Sequence, residues 1–157
     1  MICLMFDLAK YRLPAPKDVN LPATRQNVAV FLSAYLSSRC RVGQPREPRV
    51  TQSLSLFPPA TNKTSFEAEQ ILIDNEEAQD EFNHLHQLFI KGYAAIQHPS
   101  NTDITERRKR IFFDRYIHGY SIYVTAQRSS ISEDSVKQES NVIIIEFASA
   151  LELIVMK

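Results

Sequence analysis

Apolar residues at Val28, Phe31, Leu32, Tyr35 and Leu36 follow the i, i+3, i+4, i+7, i+8 spacing of one helical face. They predict a first helix at about Thr24 to Arg41, with Gly43 as its stop. From Gln44 to Asn62 the prolines Pro45, Pro48, Pro58 and Pro59 exclude a regular helix, so this stretch reads as a linker, with Val50 to Phe57 extended against a neighbour. Thr64-Ser65-Phe66-Glu67 has the Thr-x-x-Glu pattern of a capping box and opens a second helical region running towards Gln97. Within it Ile71, Asn75, Ala78, Phe82, Leu85, Phe89, Gly92 and Ile96 alternate in steps of four and three, a heptad-like seam in which Gly92 marks a bend. His98-Pro99-Ser100-Asn101-Thr102 breaks the pattern, and Asp103-Ile104-Thr105-Glu106 restarts it as another capping box ahead of Ile111, Phe112, Arg115 and Tyr116.

The last third has the spacing of a helix-turn-helix. His118-Gly119-Tyr120 ends one amphipathic helix, and Ser121 is placed to cap the next, Ile122 to about Arg128. Ser129-Ser130-Ile131 is short enough for a tight turn, after which Ser132 caps a further helix from Glu133 to about Ile143. Ala126 is the small residue required where the two helices touch, and Ile131 and Val136 plug the angle between them. Glu133, Asp134, Lys137, Gln138 and Asn141 then fall on the outer face of the second helix, where side chains can reach base edges. Thr125 and Ser129 stand at positions that are usually apolar, and Ser130 stands where Gly is commonest. The same spacing also fits ordinary helices of an all-α domain.

These elements predict an all-α fold in four segments: a basic helical segment over 1–43, a Pro-rich linker over 44–63, a long helical segment over 64–98, and a helix-turn-helix domain over 103–157. Leu153-Ile154-Val155-Met156 is apolar enough to form a short strand at the end. Met1 to Ala9 is apolar but too short to span a bilayer, and Lys10 and Arg12 follow it rather than precede it, so it reads as a segment packed on the domain or on a second subunit and not as a signal peptide.

Charge refines the picture. Lys+Arg 18 balance Asp+Glu 18 overall, which is not the composition of a generic nucleic-acid coat. The distribution is uneven: residues 1–50 carry 8 Lys/Arg against 3 Asp/Glu, residues 51–100 carry 2 against 7, and the remainder carries 8 against 8. Affinity for double-stranded DNA must therefore be local, with Arg107, Arg108, Lys109, Arg110 and Arg128 as the candidate phosphate contacts. Glu133, Asp134 and Glu139 favour the helix dipole or the helix surface but repel phosphate, which leaves base reading to Lys137, Gln138 and Asn141.

Catalytic and metal chemistry is not signalled. His84 and His86 are two apart, which on a helix sends them to different faces, so they read as surface or interface residues. Glu76, Glu77, Asp80 and Glu81 read as a solvated face. With three glycines there is no phosphate-cradling loop, and no nucleophilic triad stands out, so neither an enzyme nor a cofactor is expected. Cys3 and Cys40 have no metal-ligand spacing, and a reducing cytoplasm suits them.

The segment Arg115-Tyr116-Ile117-His118-Gly119-Tyr120-Ser121-Ile122-Tyr123, the turn Ile131-Ser132-Glu133-Asp134-Ser135-Val136 and the ending Glu146-Phe147-Ala148-Ser149-Ala150-Leu151-Glu152-Leu153 resemble the ArpU (autolysin regulatory protein) family of phage-encoded transcriptional regulators. Upstream, Ala23-Thr24-Arg25-Gln26-Asn27-Val28, Val50-Thr51-Gln52-Ser53-Leu54-Ser55 and Ile73-Asp74-Asn75-Glu76-Glu77 are similar to the family as well. The family occurs in phages and prophages of low-GC Gram-positive bacteria, and its helix-turn-helix is related to the promoter-reading region 4 of sigma factors. The resemblance implies promoter binding through the helix from Ser132, control of late phage genes, and a place in the cytoplasm of the bacterial host. An adaptor that contacts RNA polymerase or another regulator, with little direct DNA readout, is the alternative. A homodimer is expected, with Phe31, Tyr35, Phe82, Leu85 and Phe89 at its interface; the same seam also suits internal packing on the C-terminal helices.

Overall fold

A computed structural model of the chain describes residues 6–45, 48 and 65–157, with backbone alone over 65–74. Most of the Pro-rich segment, Val50 to Phe57, Thr64 of the first capping box, the Ile71 side chain, Cys3 and the start of the apolar N-terminus lie outside the described residues. Among those described, every regular element is helical: α1 (Leu8–Tyr11), a single 3-10 turn (Pro16–Asp18), α2 (Leu21–Arg41), α3 (Ser65–Ala94), α4 (Thr102–Phe112) with a wider turn over Phe113–Ile117, α5 (Ile122–Ser129) and α6 (Glu133–Ala150). The fold is all-α, as the periodicity predicts.

The helix ends follow from side-chain chemistry. The Asn20 side chain accepts the Ala23 N–H at 3.3 Å and Pro22 occupies the first turn, so α2 starts three residues before the predicted point. α4 is capped by Asn101, which takes the N–H groups of Asp103 (2.9 Å) and Ile104 (3.2 Å); the expected capping box at Asp103 is displaced, and Asp103 instead sits in the first turn, where its charge suits the helix dipole. Three helices end in the same way. Gly43, Ser130 and Glu152 have φ of 74°, 55° and 57°, and in each case the next residue's N–H reaches five residues back: Gln44 to Arg39 (2.9 Å), Ile131 to Ala126 (3.1 Å) and Leu153 to Ala148 (2.8 Å). This is the left-handed Schellman stop, for which glycine is the unstrained residue; a serine and a glutamate fill two of the three.

α6 is the axle of the molecule. Six consecutive residues, Ile143 to Ala148, are buried on every side of the helix because α2, α3, α4 and α5 all pack against it. Phe147 lies among Phe31, Phe89 and Phe112 with ring centroids at 5.9, 6.3 and 5.1 Å, and a Cβ placed on Gly92 would lie 2.6 Å from its ring. Gly92 thus allows close approach, and α3 continues through it as one helix. Tyr35, Phe82 and Phe89 have 0 to 1% of their surface exposed within a single chain, and Phe31 and Leu85 are partly buried against the same cluster. Tyr35, Phe82 and Phe89 are therefore internal core, which corrects their assignment to a dimer interface: the acidic solvent face of α3 lies opposite a stripe that α2 and α6 already cover.

His86 is likewise inside rather than at the surface. Arg39 donates to the Tyr35 hydroxyl at 3.1 Å, and the same hydroxyl is hydrogen-bonded to His86 Nδ1. Burial, and then the Arg39 charge, hold the His86 pKa below its ordinary value. His84 is exposed.

The C-terminal residues zip onto the start of α2. Asn20 donates to Val155 O (2.8 Å), Val155 N–H to Thr24 Oγ1 (3.1 Å), Asn27 to Leu153 O (3.0 Å) and Lys157 N–H to Asp18 O (3.0 Å), with an isolated bridge between Val19 and Met156. The predicted terminal strand is this single bridge. One cluster joins α2, α3, α4, α5 and α6, so residues 103–157 share their core with the N-terminal helices. Phe6, Leu8, Tyr11 and Leu13 are exposed, so residues 6–9 of the apolar N-terminal segment do not pack on the domain, and packing on a second subunit stays the expectation for them.

Candidate nucleic-acid interface

α5, a three-residue turn and α6 form the local geometry around which the candidate interface is built. Ser121 caps α5 by accepting the Val124 N–H at 3.2 Å, and Ser132 caps α6 by accepting the Ser135 N–H at 3.1 Å. Ser130 turns the chain between them in the left-handed conformation. Ala126 and Val136 are buried and Ile131 packs against the core, the roles the spacing assigns them. Thr125 and Ser129 carry a cost: their hydroxyls are buried without a hydrogen-bond partner, where apolar side chains would leave nothing unsatisfied.

The exposed tip of α6 carries Ser132, Glu133, Asp134, Lys137 and Gln138, with Asn141 partly buried one turn further on. Lys137 lies 3.9 Å from Asp134, a solvent-exposed i,i+3 pair that holds it weakly. Asn141 accepts a hydrogen bond from Arg25 of α2. The free face of α5 is aromatic: Tyr123 and Val124 are exposed, Gln127 donates to the Tyr123 hydroxyl at 2.7 Å, and Arg128 lies over the Tyr120 ring at 5.2 Å while pairing with buried Asp114 at 3.1 Å.

The basic run does not form one patch. Successive residues of an α-helix turn by about 100°, so four in a row point around the helix. Arg108 points inward and is consumed: Nε donates to Glu139 (2.6 Å), and NH1 to Glu146 (3.0 Å) and to Gln97 O (2.9 Å), with 12% of the side chain exposed. Arg107 leans on Glu139 at 3.7 Å and Lys109 lies 4.8 Å over the Tyr93 ring, which leaves Arg110 facing solvent. Arg108 is thus a structural clasp between α4, the end of α3 and α6, which corrects its expected role as a phosphate contact. Burial raises the Glu146 pKa, opposed by the Gln97 N–H and by Arg108.

Of the cations that do converge, the spacing singled out Lys137 alone. Arg25 of α2, Arg115 of the wide turn and Lys137 of α6 surround a cavity of about 410 Å³ that Tyr116, Ile122, Ser140 and Asn141 also line. Arg25 and Arg115 lie 90 residues apart in the sequence, so no local pattern pairs them.

The chain is similar to an uncharacterized phage-related protein of Listeria innocua serovar 6a, at 26% identity over 96% of this chain and 99% of the relative. It is also similar to Protein Gp66 of Listeria phage A118, at 25% identity over 93% of this chain and 96% of that protein. No protein-family model matches the chain, and no solved structure matches it significantly. No helix among the described residues is long and apolar enough to cross a membrane.

Proposed function

We propose that the chain is a phage or prophage transcriptional regulator of the ArpU type, which reads promoter DNA by inserting the tip of α6 into the major groove. The observation that carries this reading is the doubly capped α5–turn–α6 unit, whose protruding tip presents Lys137 and Gln138 while the rest of α6 is locked in the core. Similarity to phage-related proteins along nearly the whole chain supports the setting. Lys137 and Gln138 are the base readers, and Arg128, Arg110 and Arg107 the backbone contacts, with late phage genes as the controlled set.

Fluorescence anisotropy against fragments of the phage's own promoter DNA at low salt tests it. A preferred fragment whose preference falls in the Lys137→Ala, Gln138→Ala double variant, at unchanged thermal stability, is expected. Equal binding to all fragments refutes it.

The acidic start of α6 and the exposed Tyr123–Val124 face of α5 favour a second reading, a helical adaptor that contacts host RNA polymerase or another regulator. Pull-down of purified polymerase separates the two: an adaptor loses it with Tyr123→Ser and keeps it with the Lys137, Gln138 double variant.

A further inference from the structure

The cavity between α2 and α6 has the composition of an anion site. Three cationic side chains (Arg25, Arg115, Lys137) come from three different elements, and none of the residues lining it is acidic. Two of its polar groups are buried without any hydrogen-bond partner: the Ser140 hydroxyl, on a residue 5% exposed, and Nε of Arg115, whose NH1 is held by Tyr120 O at 2.9 Å. Buried hydroxyl and guanidinium donors are seldom left unsatisfied in a folded protein, because each forfeits its hydrogen bonds to water. Arg108 shows the contrast: it is matched by Glu139 and Glu146, whereas no carboxylate lines this cavity and Lys137 has only the loose, exposed Asp134 pair at 3.9 Å.

The donor set suits a tetrahedral oxyanion better than a carboxylate. Guanidinium groups bind phosphate through paired N–H donors, an ammonium adds a point charge, and a phosphate's several oxygens can take the serine and tyrosine hydroxyls at once. Arg25 is held in place by Asn141 and its charge lies beside the Tyr116 hydroxyl, so one arm of the site is already oriented before a ligand arrives. Ile122 and the Tyr116 ring supply an apolar wall, and about 410 Å³ is room for more than the phosphate alone.

We propose that this cavity binds a phosphate group, recognised by Arg25, Arg115, Lys137 and Ser140. The group is supplied either by the backbone of DNA lying along α6 or by a free phosphorylated small molecule; the first source rests on the DNA-binding reading above and the second does not.

The test has two arms on the full chain. In the first, inorganic phosphate is titrated at constant ionic strength against a chloride control and thermal unfolding is followed. Phosphate is expected to raise Tm in the wild type and in Lys91→Met, whose exposed cation on α3 lies outside the cavity. Arg25→Met and Ser140→Ala should weaken the effect, Arg25→Met by about ten-fold or more in apparent affinity for loss of a charge-assisted bond. Arg25 is exposed on α2, so its loss leaves the fold intact, which unfolding without phosphate checks. No phosphate-specific shift, or a shift that Arg25→Met and Lys91→Met reduce equally, overturns the proposal.

In the second arm a duplex is titrated at several salt concentrations. If Arg25→Met lowers the salt slope by about one unit, the phosphate belongs to DNA; if it abolishes phosphate binding but leaves duplex binding unchanged, or if the wild type binds no duplex, the site serves a free phosphorylated molecule.

Discussion

Replacing Gly92 with alanine sets two physical effects against each other in one residue. Gly92 lies near the end of a 30-residue helix, where alanine is favoured over glycine by about 1 kcal/mol. On propensity alone Gly92→Ala should stabilise the protein. The added Cβ, however, would lie 2.6, 2.8 and 3.0 Å from three ring carbons of Phe147. Ordinary contact would require the ring to retreat by roughly 1 Å. It has nowhere to go: Phe147 is fully buried, with Phe31, Phe89 and Phe112 around it. Overpacking of this kind costs about 1–3 kcal/mol as measured, and contact with a rigid ring edge belongs at the upper end. A net loss of about 1–2 kcal/mol is expected, which for a chain of this size lowers Tm by roughly 2–8 °C. Thermal and urea unfolding measure it. A double-mutant cycle isolates the cause, since in a Phe147→Leu background Gly92→Ala should be neutral or stabilising, a coupling of about 1 kcal/mol or more. A rise in stability in the wild-type background, or additivity in the cycle, would refute the close-approach argument.

Other expectations follow from the remaining contacts. Ser130→Gly should raise stability by about 1 kcal/mol, because a serine in the left-handed region bears a strain that glycine does not; unfolding midpoints decide, and a loss would mean the Ser130 side chain does something the turn geometry omits. Arg108→Ala should cost about 3 kcal/mol by leaving Glu146 buried without its guanidinium, and should lower DNA and phosphate binding only in proportion to the unfolded fraction; selective loss of binding at full stability would restore it as a phosphate contact. His86, held below 6.5 when folded, binds fewer protons than in the unfolded chain, so it contributes stability above 6.5 that is lost as pH falls through that value. Unfolding between pH 7.5 and 5.5 should show this slope in the wild type and not in His86→Gln. Phe89→Asp should unfold the chain rather than dissociate a dimer, which circular dichroism and sedimentation distinguish.

The sequence made the helices legible where apolar spacing and caps are local. Val28, Leu32 and Tyr35 mark the buried face of α2, Ser121 and Ser132 mark the starts of α5 and α6, and Gly43 marks a stop. Asn101 and Asp103 are both capping residues, and only the backbone geometry chooses between them. The heptad-like seam along α3 was visible, but periodicity records that a stripe is apolar and not whose atoms cover it. Gly92 reads as a bend in one dimension and as a close contact with Phe147 in three. The basic run from Arg107 to Arg110 drew attention by adjacency, yet its best-placed arginine is matched by Glu139 and Glu146, 31 and 38 residues away. The cluster of Arg25, Arg115 and Lys137 was illegible for the same reason, since the elements that carry it meet only when the core forms.

One property of α6 bears on how such a protein can change over generations. Its first two turns expose Glu133, Asp134, Lys137 and Gln138 on one face while Val136 and Ser140 point inward, whereas Ile143 to Ala148 are enclosed by every other long helix. Tip and shaft are a single rigid rod, so side chains at the tip can be exchanged one by one without touching the packing that supports them. Their positions in space stay fixed to the core while their chemistry drifts. A lineage under pressure to recognise a new target can therefore explore substitutions at 133, 134, 137 and 138 at little risk to folding, and related chains should diverge first along that short stretch.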